Sequence, residues 1–126
     1  MKYNNLVCIV VFGLGLGMSM LSHAKNYNDG FVAAESGQYD NAISIWKPLA
    51  EKGHAIAQFN MALLYHSGQG VKLDENKAVH LYHQAAENGY HKAQEFLVVG
   101  YSEGWFGLPI NTIKAEYWQQ KLDSIE

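Results

Sequence analysis

From residue 25 onward, apolar side chains recur at steps of three and four with polar positions between them, the spacing of one face of an α-helix. Phe31, Ala34 and then Tyr39 flank a Ser36-Gly37-Gln38 break, which predicts one short helix, a tight turn and the start of another. Asp40 is placed to cap the second helix. Along it Ala42, Ile45, Trp46, Leu49 and Ala50 form a stripe that ends at Gly53, a residue suited to a left-handed helix terminus. Pro48 cannot donate a backbone hydrogen bond, so a bend is expected there.

The next pair of helices follows the same logic. Ala57, Met61, Leu64 and Tyr65 line one face of a helix that stops at Ser67-Gly68-Gln69-Gly70, and Val71 supplies an apolar plug in the loop. Asp74 is the expected N-cap of a return helix whose stripe is Ala78, Leu81, Tyr82, Ala85 and Ala86, with Gly89 ending it as Gly53 ended its counterpart. In the last pair Ala93, Leu97, Gly100 and Tyr101 mirror the preceding first helix. The loop there reads Gly104-Trp105-Phe106-Gly107-Leu108-Pro109 and carries one extra residue. Asn111 takes the capping place of Asp74, and Ala115 and Trp118 take those of Ala78 and Leu81. Gln119, Gln120, Asp123 and Glu126 suit a terminal helix with one solvated side.

These pairs are copies of one unit. Ala-Glu-Lys-Gly at 50–53 returns as Ala-Glu-Asn-Gly at 86–89, and Ala57-Gln58 returns as Ala93-Gln94, both after 36 positions. That period belongs to stacked helical hairpins, whose long open surface favours binding over enclosed catalysis. The expected fold is an all-α solenoid of three antiparallel helix pairs, divided at 25–53, 54–89 and 90–126.

The first 24 residues read as a leader. Lys2 precedes an apolar run from Leu6 to Leu21, and Ser22-His23-Ala24 has the small-x-small form cut by a signal peptidase, so cleavage after Ala24 and a secreted or periplasmic product are expected. The run is short for a spanning helix, which needs about 20 apolar residues, although retention as an anchor stays open. Gly13-Leu14-Gly15-Leu16-Gly17 lies inside this segment and is no nucleotide loop. Cys8 is the one cysteine and leaves with the leader, so neither disulfides, thiol catalysis nor a zinc-thiolate site is expected in the product. Without Lys2, eight of the nine lysines face twelve acidic residues, and the chain has no arginine. That balance argues against nucleic acid.

Ala57-Gln-Phe-Asn-Met-Ala-Leu-Leu-Tyr65, Gly68, Gly70-Val71, Asp74, Lys77-Ala78, Leu81-Tyr82 and Ala85-Ala86-Glu87 with Gly89 resemble the Sel-one-like repeat, a branch of the tetratricopeptide superfamily. The resemblance covers one complete repeat, a degenerate second one from Tyr90 onward, and an entry unit containing Trp46-Lys-Pro-Leu-Ala-Glu-Lys-Gly53. Ala62 and Val98 stand where the family usually keeps a smaller residue, often glycine. The resemblance implies a right-handed superhelix that holds partners together, with family members in bacterial envelopes, signalling assemblies and host contact.

Two surfaces are candidates for binding a protein or peptide. One is the row Trp46, Tyr82 and Gln119, which share a register position and could line the concave side of a solenoid. The other is the loop with Trp105 and Phe106, since exposed aromatics anchor interfaces; the competing role is a packed plug like Val71. His80, His83 and Glu87 fall at helical steps that could grip a metal, but surface histidines explain the same spacing. No catalytic elbow, zinc-protease motif or opposed pair of acids is present, and no cofactor is implied. The expected function is an exported, non-enzymatic adaptor or scaffold. The alternatives are an accessory or weak hydrolase for cell-wall-like ligands and a metal-binding envelope protein. A homo-oligomer stays open.

Overall fold

The computed structural model describes residues 26–124, and the expected leader at 1–24 lies outside them. Six helices follow one another: α1 (Tyr27–Glu35), α2 (Tyr39–Glu51), α3 (Ala55–Ser67), α4 (Glu75–Glu87), α5 (His91–Glu103) and α6 (Thr112–Asp123). Each packs on its neighbours in sequence, giving an all-α solenoid of three helix pairs. The first helices of the pairs lie side by side: Phe31 of α1 and Leu63 of α3 line one depression, and Phe59 of α3 meets Phe96 of α5 at 6.1 Å between ring centroids. The second helices form the other layer, where His83 of α4 meets Trp118 of α6 at 6.0 Å.

Caps fix where these helices begin. The Asn26 side chain and Asp29 form a reciprocal capping box on α1. Asp74 and Asn111 each accept the backbone N–H three residues on, at 3.0 Å, as their places in the sequence require. His54 does the same for α3 through Nδ1, at 3.2 Å from the Ala57 nitrogen. Asp40 is not the cap of α2. The helix starts at Tyr39, with Gln38 two residues before Asp40 at the cap position, and Asp40 sits in the first turn, where its charge complements the helix dipole. Despite Pro48, α2 runs unbroken to Glu51.

Alanines bring the helices together. Ala42, Ala57, Ala62, Ala78, Ala85 and Ala93 have no solvent exposure, so neighbouring backbones approach closely while Met61, Leu64, Leu97 and Tyr82 fill the space between them. At the entry, Gly30 makes room for a larger group: a Cβ there would overlap the Trp46 indole, whose Nε1 donates to the Tyr27 carbonyl at 2.9 Å.

The repeated Ala-Gln phrase joins one pair to the next. Gln58 donates to the Ala50 carbonyl at 3.1 Å, and Gln94 donates to the Ala86 carbonyl at 3.0 Å. Each glutamine therefore adds a second donor to a carbonyl in the last turn of the preceding helix, where Ala50 and Ala86 also accept from the Gly53 and Gly89 N–H groups at 3.0 Å. Asn88 adds a bond to Gln58 Oε1 at 2.9 Å, tying the two junctions together.

Candidate functional site

The two interhelical loops share a frame and differ by one insertion. Gly68 and Gly104 are both left-handed, as are Gly70 and Gly107. Asp74 donates its N–H to the Tyr65 carbonyl at 2.9 Å, and Asn111 donates to the Tyr101 carbonyl at 2.8 Å. Within that frame Gln69 of the first loop is replaced by Trp105 and Phe106 in the second. The extra residue forces Phe106 to φ 59°, the one positive φ at a non-glycine among the described residues. For an L-residue that conformation costs about 1–2 kcal/mol.

The two aromatics have separate places. Phe106 is half-buried and stacks on Phe96 at 3.8 Å and 25° between ring planes, with His66 at 5.1 Å. Trp105 stands edge-on to Phe106 and remains 50% exposed. Neither is the counterpart of the Val71 plug. That role belongs to Leu108, which is buried against Gly100, where a Cβ would come within 2.6 Å of Leu108 Cδ1. Trp105, Phe106, Phe96 and Val99 border a shallow depression of ≈ 390 Å³ rimmed by Lys92 and Glu95.

The row expected from Trp46, Tyr82 and Gln119 does not form a groove. The three do occupy the same step after their caps, but Trp46 is 3% exposed and Tyr82 is fully buried. The position faces into the stack: Trp46 packs on Phe31 of α1, and Tyr82 lies between Phe59 and Phe96. Burial also pushes the Tyr82 phenol well above its ordinary pKa. No helix follows α6 among the described residues, so Gln119 is solvated there and donates to Asp123 at 2.9 Å.

Of the exposed large apolar side chains, four lie on the first helices, while Leu73, Trp105 and Ile110 lie in loops and Ile113 and Tyr117 on α6. Phe31 and Val32 on α1, Leu63 on α3 and Val99 on α5 all reach solvent. Between α1 and α3 lies a depression of ≈ 280 Å³ bordered by Phe31, Leu63 and Tyr39, with Asn60 in its lining. Asn60 is 4% exposed, and its Nδ2 has no hydrogen-bond partner among the described residues. A buried amide left with an unpaired donor costs about 1–3 kcal/mol. Sequence reasoning missed this surface because the stripe it followed was the buried one; the weaker signal was a second set of large apolar residues, Phe31, Leu63 and Val99, off that stripe.

His80, His83 and Glu87 are not gathered into a cation site. His83 turns inward and its Nε2 shares a 2.8 Å hydrogen bond with the Tyr101 hydroxyl, whereas His80 and Glu87 are exposed. No group of three metal-ligating side chains assembles among the described residues. None of the described helices is long and apolar enough to cross a membrane.

This geometry, with paired helices, a 36-residue period and duplicated loop frames, agrees with a comparison against protein families: the Sel1 repeat matches residues 55–90 and 97–121. The chain is a Sel1-repeat protein. An exopolysaccharide production negative regulator of Rhizobium leguminosarum bv. viciae is 33% identical over 52% of this chain and 25% of its own length. An ERAD-associated E3 ubiquitin-protein ligase component of Arabidopsis thaliana is 32% identical over 61% of this chain and 12% of its length. A chitin synthase regulatory factor of Schizosaccharomyces pombe is 29% identical over 64% of this chain and 9% of its length. The Sel1-repeat chain thus spans a quarter or less of these relatives. No solved structure matches it. The relatives' names are those of regulators and an assembly component, and Sel1 repeats mediate protein interactions.

Proposed function

We propose that this Sel1-repeat chain is an exported adaptor that holds a protein or peptide partner against the face formed by α1, α3 and α5. The observation that carries the proposal is the depression between α1 and α3, where exposed Phe31 and Leu63 flank the unpaired amide of Asn60. An apolar side chain of a partner would cover the two hydrophobic residues above buried Asn60, while exposed Glu35 and Gln69 in the same lining offer polar contacts. Recognition sites of this kind combine apolar walls with a few placed polar groups. Val99 and Trp105 extend the face toward the third pair, and exposed aromatics of this sort dominate interface energies.

The leader supports a destination in a bacterial envelope or outside the cell, with Lys25 as the first residue after cleavage. N-terminal sequencing of the exported product checks that part. For the binding face, partner recovery from the envelope fraction is compared between the unaltered protein and Leu63→Asp. Leu63 is exposed, so the variant keeps its helicity and recovers at most about a tenth as much partner. Equal recovery would assign the partner to another surface.

A further inference from the structure

The opposite side of the solenoid has a different chemistry. Between α2 and α4 runs a groove of ≈ 510 Å³ in which Ala50, Met61 and Leu81 supply apolar lining and Lys47, Lys52 and Lys77 supply charge. All three lysines are exposed. The acidic residue lining the same groove is Glu51. A second depression of ≈ 540 Å³ adjoins it through Tyr65 and Lys77 and adds Lys72. Asp74 borders this second part with its charge intact, its Oδ1 accepting from the Lys77 backbone nitrogen at 3.0 Å, so the two depressions together set four lysines against Glu51 and Asp74. Four of the seven lysines in residues 26–124 therefore lie along one continuous surface, in a chain whose formal net charge is -3.

We propose that this groove is a second docking site, for an extended protein segment that carries carboxylates on either side of an apolar side chain. The apolar residue would rest on Met61 and Leu81, and the carboxylates would reach Lys47 and Lys52 at one end and Lys77 and Lys72 at the other. Charge complementarity selects the occupant: an acidic segment is drawn to this side and repelled by the acidic remainder of the chain, whereas a basic segment is not. Lys77 already lies 4.5 Å from the centre of the Tyr65 ring, which places its ammonium at the junction of the two depressions. The proposal does not depend on the α1–α3 face, because the two surfaces share no lining residue.

The test uses the purified protein and a short labelled peptide of alternating glutamate and leucine, with a lysine-leucine peptide and inorganic polyphosphate as controls, followed by fluorescence anisotropy. The acidic peptide binds, and added salt weakens it as screening predicts. Lys47→Glu combined with Lys77→Glu weakens it roughly tenfold or more without loss of helicity. Leu63→Asp, on the other face, leaves this binding unchanged. Equal binding of both peptides, indifference to the double charge reversal, or polyphosphate competing as well as the peptide would overturn the proposal. So would self-association that disappears in the double variant, since the occupant would then be a second copy of the chain.

Discussion

His83 and Tyr101 share a 2.8 Å hydrogen bond across the boundary between the second and third helix pairs. The bond lies beside Trp118, whose ring centre is 6.0 Å from that of His83, so a polar contact is enclosed by the core of the last pair. Burial lowers the His83 pKa, and Lys114 and His80 push in the same direction while Glu87 opposes them. The folded protein therefore holds this imidazole neutral.

A pH dependence follows from that shift. With the folded pKa below the unfolded value of about 6.5, the unfolded chain takes up the proton first, and stability rises with pH through the interval between the two values. The contribution is complete above the unfolded pKa and is lost as pH falls toward the folded one. Urea unfolding at a series of pH values should show this loss for the unaltered protein and a flatter profile for His83→Gln. An unchanged profile in the variant would place the titration elsewhere.

The glutamine junctions should be costly to remove. Gln94→Ala removes one of two donors from the Ala86 carbonyl, which keeps the Gly89 N–H at 3.0 Å, and the expected loss is about 0.5–1.5 kcal/mol in chemical denaturation. Gln58→Ala should cost at least as much, since Asn88 loses its acceptor as well. Replacing the exposed Gln120 should have almost no effect.

The neighbouring aromatics of the second loop should separate in their effects. Phe106→Ala removes the stack on Phe96 and should lower the melting temperature, with no relief of the positive φ to offset the lost contact, because alanine is also disfavoured there. Trp105→Ala should leave melting nearly unchanged while weakening partner capture. Thermal denaturation of the two single variants distinguishes a packing role from a binding one.

The sequence made the scaffold legible because the repeat states it twice. Small residues at Ala57, Ala78 and Ala93, capping residues at Asp74 and Asn111, and glycines at Gly68 and Gly104 each have one structural solution, and the helices begin and end accordingly. The binding surface was harder to read. Register alone placed Trp46, Tyr82 and Gln119 together, but register does not say whether a position faces a neighbouring helix or solvent, and two of the three proved to be core. Gln58 and Gln94 were visible as part of the repeated phrase. Their bonds to the preceding helix depend on tertiary approach, which periodicity does not encode.

Docking of partners on the layer of first helices is read position by position through photocrosslinking. A photoreactive side chain placed at exposed Leu63 or Val99 should link to the partner, whereas one at exposed Gln120 on α6 should not. Crosslinks from position 120 with none from 63 or 99 would contradict docking on that layer.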